Sequence, residues 1–166
     1  MRVAIIGYGN VGRAFARLLF EQKRSAYPFR IVAVHTARHG SAYDLKGLPV
    51  EPAFGPAAPS SIEEFLSRAR AEIAIELTPL NPESGEPAIT HIRCAFQHGM
   101  HAITANKGLV AFAYAALREE ARRAGLEFRY EATIMDGTPV YNLVRNNLPG
   151  VRIEGFRRSL HFHHAR

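Results

Sequence analysis

Short apolar runs alternate with longer stretches of helical periodicity along this chain, and the alternation predicts most of its elements. Val3-Ala4-Ile5-Ile6 is continuously apolar, as suits a strand covered on both faces. Val11 to Phe20 follows with Val11, Phe15, Leu18 and Leu19 at helical spacing, which predicts a helix packed through that side. A turn around Tyr27-Pro28 leads to a second strand, Ile31 to Val34. The proline-rich stretch from Gly47 to Pro59 predicts an irregular loop. Ser60 or Ser61 then caps a helix with Glu63 and Glu64 in its first turn, where carboxylates meet the positive end of the helix dipole. Ile73 to Leu77 predicts a third strand, Glu86 to His98 a helix stopped by Gly99, and His101 to Thr104 a fourth strand. Ala111 to Ala124 predicts a long helix ended by Gly125. Leu126 to Tyr130 then predicts a strand, Pro139 to Asn147 a helix, and Val151 to Phe156 a final strand. Strands and helices alternating at this spacing predict an α/β fold, a doubly wound parallel sheet in a single domain.

Composition narrows the class. With 166 residues, 47% of them hydrophobic, the chain can bury one good core. No apolar run approaches the roughly 18 residues a membrane span needs. The apolar start is too short for a signal peptide and enters a glycine loop instead. The single cysteine, Cys94, excludes an intrachain disulfide and fits a reducing cytoplasm. It reads as a small buried helix residue, since His91 and His98 form no dyad with it. A formal charge of +6 invites an anionic partner, yet Arg118-Glu119-Glu120 and Arg122-Arg123 read as a solvated helix face. No aromatic-basic ribbon or helix-turn-helix signature is present, so no nucleic-acid partner is expected.

The candidate chemistry begins at Gly7-Tyr8-Gly9-Asn10-Val11-Gly12, which lies between the first strand and the first helix. The first glycine of such a loop permits a tight turn and the second lets backbone approach a pyrophosphate. The third lets helix and strand pack closely, with the helix N-terminus facing the negative charge. The loop therefore predicts a Rossmann-type dinucleotide-binding domain over residues 1–150. The second strand runs into His35-Thr36-Ala37-Arg38-His39 without the acid that would hold both ribose hydroxyls of NAD. Arg38 instead suits a 2′-phosphate, so NADP is expected in preference to NAD.

Ile103-Thr104-Ala105-Asn106-Lys107 is an apolar strand running into one of only three lysines, against 21 basic side chains in all. Together with the glycine loop, Glu76-Leu77-Thr78-Pro79 and Tyr130-Glu131-Ala132-Thr133 running to Gly137-Thr138-Pro139, it resembles the cofactor domain of homoserine dehydrogenase. The resemblance implies NAD(P)-dependent interconversion of aspartate semialdehyde and homoserine, a step of threonine and methionine biosynthesis. It also implies a homodimer and a separate substrate domain. Thr78 and Pro79 would lie at the nicotinamide, Asn106 would fix a turn and contact cofactor, and Lys107 would be catalytic as well as cofactor-contacting. Glu131 matches the family's monovalent-cation glutamate, which suggests Glu131, Ile134, Asp136 and Thr138 as ligands of an ion such as sodium. Met135-Asp136-Gly137-Thr138 departs from the family's turn at that place.

The resemblance stops near residue 157. Residues 151–166 are read as the start of a link to a missing substrate domain, ending in Arg158-Ser159-Leu160-His161-Phe162-His163-His164-Ala165-Arg166. That tail replaces the family's turn, and a frameshift or gene fragment is the expected origin. The rival to an enzyme is a stand-alone dinucleotide-binding module. A semialdehyde dehydrogenase would need a nucleophilic cysteine at a strand end, which Cys94 does not supply.

Overall fold

The computed structural model describes residues 1–21, 27–55, 61–135, 138–148 and 150–155. Six strands form one sheet in the order β3-β2-β1-β4-β5-β6. They are β1 (Arg2–Ile6), β2 (Arg30–Thr36), β3 (Gly40–Tyr43), β4 (Ile73–Glu76), β5 (His101–Thr104) and β6 (Phe128–Arg129). Every neighbouring pair is parallel except β2 and β3, which form an antiparallel hairpin. The expected doubly wound α/β sheet is therefore present, with one edge strand reversed. That strand was not anticipated, because Gly40-Ser41-Ala42-Tyr43 lacks an apolar run and is ordered by pairing with β2.

Helices cover the two faces unequally. Helix α1 (Asn10–Glu21) lies on one face against Val3, Ile5, Ile31 and Ile75. Helices α2 (Ile62–Ala69), α3 (Ala88–Gln97) and α4 (Lys107–Arg123) lie on the other, where Phe65, Leu66, Ile92, Leu109 and Leu117 are fully buried. The buried line of α1 is Gly12 and Ala16, not the Val11-to-Leu19 face expected, and Val11 and Leu18 are 60% and 53% exposed. The helix approaches β1 too closely for large side chains: a Cβ on Gly12 would lie 2.9 Å from the Gly7 carbonyl oxygen. Phe15 and Leu19 flank that line, half-buried.

Local signals placed several boundaries correctly. Ser61 caps α2, its hydroxyl accepting from the Glu64 amide at 3.1 Å; Ser60, the other candidate, lies outside the described residues. Gly99 and Gly125 follow α3 and α4 with φ of +70° and +67°, the left-handed conformation that ends a helix. Helix α4, however, begins at Lys107 rather than Ala111, and the strand expected over Leu126 to Tyr130 shrinks to β6. Two short helices follow, α5 (Ala132–Met135) and α6 (Val140–Asn142), the latter continuing as a π-helical turn over Leu143–Asn147. Residues 151–155 form no strand, since no described segment offers them a ladder partner; Phe156 and the histidine-containing tail lie outside the described residues.

Candidate functional site

The carboxyl ends of β1, β2, β4 and β5 form one edge, and the predicted residues gather there. Gly7 ends β1 with φ of +94°, and its amide donates to the His35 carbonyl at 2.9 Å. A Cβ on Gly7 would lie 2.7 Å from the carbonyl carbon and oxygen of Leu77, so only glycine fits between β1 and the chain leaving β4. Gly9 differs. A Cβ there would meet no atom within 4 Å, so packing does not explain the missing side chain. Open space above a helix N-terminus is what a bound pyrophosphate requires, and the residues present fit a dinucleotide. Asn10 and Val11 begin α1, exposed on the same side.

Tyr8 belongs to this loop but turns its ring inward. Its hydroxyl donates to the Val50 carbonyl at 2.7 Å and its ring meets Phe54 edge-on. Burial, with the Glu51 charge nearby, raises its phenol pKa above the usual value. Only its backbone faces the candidate site. The side chain pins the 47–55 loop against the sheet.

After β2 the chain turns at Ala37-Arg38-His39, the His39 amide donating to the Thr36 hydroxyl at 2.9 Å. Arg38 is exposed at the tip of this hairpin, and no carboxylate lies between Thr36 and Gly40. Below it, His35 is half-buried, bonded to the Ser41 hydroxyl through Nδ1 at 2.8 Å and stacked on Phe65. Burial lowers the His35 pKa, and the nearby His91 adds to the effect.

At β4 and β5 the edge is polar. Glu76 is fully buried, and its Oε1 accepts from the Thr78 amide at 2.9 Å and from the Thr78 hydroxyl. Its Oε2 accepts from the Thr104 hydroxyl at 3.2 Å. The Thr104 oxygen in turn accepts from the Asn106 amide at 3.0 Å. Asn106 Nδ2 donates to the carbonyls of Thr78 at 3.2 Å and Pro79 at 3.4 Å, while its Oδ1 caps α4 at the Gly108 amide, 3.0 Å away. Thr78, Pro79, Asn106 and Lys107, all expected at the site, are thus brought together. Glu76 and Thr104 were quoted only within motifs and given no role, and His91 was weighed only as a partner for Cys94. A lone carboxylate ending an apolar strand was the available signal for Glu76.

Lys107 is exposed as the first residue of α4. A cation at a helix N-terminus opposes the dipole, and a local rule broken in this way marks a position chosen for something besides stability. Gly108 lets the helix begin this early, since a Cβ there would lie 2.8 Å from the Asn81 carbonyl oxygen.

The cation residues are less assembled. Glu131 Oε1 already accepts from the Asn142 amide at 3.2 Å, Ile134 lies in α5, and the exposed Thr138 accepts through its carbonyl from the Val140 amide at 2.8 Å. Asp136 lies outside the described residues, among which no group of three or more His, Cys, Asp or Glu side chains could hold a metal ion. Cys94 is only partly buried, and burial raises its thiol pKa, which favours the unreactive form. No helix among the described residues is long and apolar enough to cross a membrane.

A glycine turn opening a helix, beside the open ends of parallel strands, defines a Rossmann-type domain that binds a nicotinamide dinucleotide. Residues 7–131 match the family described as homoserine dehydrogenase, NAD binding domain, and the chain belongs to it. A homoserine dehydrogenase of Methanocaldococcus jannaschii is 33% identical over 96% of this chain and 52% of its own length. An NAD(+)-dependent homoserine dehydrogenase of Pseudomonas canavaninivorans is 34% identical, over 96% and 50%. The chain thus spans about half the length of the curated relatives it matches. The crystal structure of homoserine dehydrogenase from Thermoplasma acidophilum shares the fold, with a TM-score of 0.76 and 24% identity over 89% of this chain and 48% of that one. A hyperthermophilic archaeal homoserine dehydrogenase in complex with NADPH also shares it, with a TM-score of 0.72 and 22% identity over 89% and 48%.

Proposed function

We propose that this chain supplies the cofactor half of a homoserine dehydrogenase, binding NADP in preference to NAD for the interconversion of aspartate semialdehyde and homoserine. The observation that carries this reading is the joining of Thr78-Pro79 to Lys107 through Asn106, beside a glycine turn with space for a pyrophosphate. The bound nicotinamide would supply or accept the hydride. Around it, Gly7, Gly9 and Gly12 shape the loop, the first-turn amides of α1 face the phosphates, and Thr78 and Pro79 floor the nicotinamide side. Lys107 would hold the substrate carbonyl oxygen as it gathers charge, and a proton delivered to that oxygen completes the alcohol.

The cofactor preference rests on Arg38, the cation that the hairpin after β2 presents in place of an acid. The relative from Pseudomonas canavaninivorans is named for NAD(+), and the archaeal structure holds NADPH, so family membership alone does not decide it. A homodimer and a cytoplasmic setting follow from the same reading. The sodium expectation rests on Glu131 alone among the described carboxylates at that place, and no step is routed through it.

Calorimetric titration with NADPH and NADH, followed by assay with aspartate semialdehyde, tests the whole proposal. NADPH binding tighter than NADH, without turnover by this half alone, is the expected result. Turnover would show that a catalytic site assembles without a substrate domain and would overturn the half-enzyme reading, and an NADH preference of about tenfold or more, near 1.4 kcal/mol, would reverse the role given to Arg38.

A further inference from the structure

We propose that Glu76 is a positioning residue: its buried carboxylate sets the relation between the nicotinamide-side turn at Thr78-Pro79 and the lysine at the head of α4. This rests on the cofactor reading above and deepens it. Glu76 stands opposite Ile6 and Thr104 in register, with His35 opposite Ile6 in turn, so these four residues form one row at the carboxyl edge. Behind that row the same face is made of Ala4, Ala33, Phe65, Leu66 and Ala74.

Stability does not explain a carboxylate there. Removing one from water costs several kcal/mol, and an apolar side chain of similar volume is often neutral or better at such a place. The bonds Glu76 makes explain it differently. They run forward to the ends of two strands, with one oxygen on Thr78 and the other on Thr104. Asn106 closes the ring by taking Thr104 on its amide and giving its side-chain amide to Thr78 and Pro79. Lys107 follows directly from that ring. On the α3 side, His91 Nδ1 lies 3.6 Å from Glu76 Oε1 and has no hydrogen-bond partner among the described residues.

Both carboxylate oxygens act as acceptors. Glutamine keeps the volume but replaces one acceptor with a donor, which would face the hydroxyl of Thr78 or Thr104. The Thr78 amide can only donate, so the glutamine oxygen stays on that side and its NH2 turns to Thr104, whose hydroxyl proton then loses its acceptor and the ring opens on one side. The glycine loop meets this ring only through the Gly7 backbone against Leu77 and Thr78, and no hydrogen bond among the described residues joins Gly9 or Arg38 to it.

The test compares two ligands of the full chain by calorimetry: NADPH, and 2′,5′-ADP, which keeps the adenosine half and its 2′-phosphate but lacks nicotinamide. Wild type is expected to bind both. Glu76→Gln is expected to weaken NADPH about tenfold while leaving 2′,5′-ADP within about twofold, a loss of the size of one hydrogen bond to a charged group. Thr104→Val, which keeps the β-branched shape but removes both the donor to Glu76 and the acceptor of the Asn106 amide, is expected to weaken NADPH at least about threefold with the same selectivity; it decides the question if the glutamine variant does not fold. Equal weakening of both ligands, or of neither, would overturn the positioning role. Failure of wild type to bind either ligand would remove the cofactor reading itself, a result distinct from a loss of selectivity in the variants.

Discussion

At the end of β1 the backbone turns where glycines leave room, whereas at the ends of β4 and β5 it turns where Glu76, Thr104 and Asn106 hold it. Both segments lie on one edge and would touch one cofactor, but their shapes have different physical origins. The first is fixed by close backbone approach, and at Gly7 and Gly12 it admits no added atom. The second is fixed by directional bonds around a buried charge, and an isosteric change in chemistry is enough to disturb it. One half should therefore fail through sterics and fold stability. The other should fail through affinity and orientation while the fold persists.

The largest expected effect lies in the glycine half. Gly7→Ala combines a left-handed φ with a Cβ 2.7 Å from the Leu77 backbone. It is expected to cost about 3 kcal/mol of stability, combining backbone strain with overpacking. The urea-unfolding midpoint measures it, and a near-neutral result would break the steric account. Next comes Gly9→Ala, where φ is not left-handed and the added Cβ meets no protein atom. Its stability should be unchanged, while NADPH affinity falls about thirtyfold, equivalent to about 2 kcal/mol of overpacking against the ligand. Calorimetry beside thermal melts separates the two quantities, and unchanged binding would show that no ligand occupies the space.

Arg38→Ala should weaken NADPH about tenfold and leave NADH unchanged, as the loss of one charge-assisted contact predicts. Equal losses for both cofactors would remove the 2′-phosphate role. The smallest effect is one of pH, at the seam between the halves. Burial lowers the His35 pKa, so the folded state favours the neutral ring. The corresponding stability is fully present above the unfolded value of about 6.5 and is lost as pH falls through the lower folded value. Urea midpoints should drop slightly between pH of about 7.5 and 5.5, and His35→Gln should reduce that drop. An identical drop in the variant would assign the pH sensitivity elsewhere.

The same contrast explains what could be read from sequence. Gly7, Gly9 and Gly12 act through backbone geometry, which is local and leaves a spacing in the chain. Gly99 and Gly125 stop their helices for the same reason, and the apolar runs of β1, β2 and β4 come from burial on both faces. The ring around Glu76 joins residues 76, 78, 104 and 106 across two strands, and no local pattern announces such pairing. Motif resemblance gave roles to Thr78, Asn106 and Lys107, but quoted the carboxylate beneath them without one. Strand β3 was hidden because its small residues depend on β2. The start of α4 was placed four residues late, at Ala111, whereas Asn106 caps it and Gly108 fits it closely against Asn81. Tyr8 was placed at the cofactor by its position in the loop, while its ring serves the 47–55 segment. The paired arginines were read correctly: Arg122 and Arg123 both bond Glu119 on the surface of α4.

The contact of Gly7 with Leu77 also has a bearing on timing. The glycine loop leaves the ribosome seventy positions ahead of the backbone leaving β4, which forms one wall of its turn. Parallel pairing of β1 with β4 must bridge everything between them, and contacts of such long sequence separation form slowly. The nascent chain therefore carries its recognition signal well before it has a shape that can recognise anything. Cofactor capture must wait at least until β1 and β4 have paired.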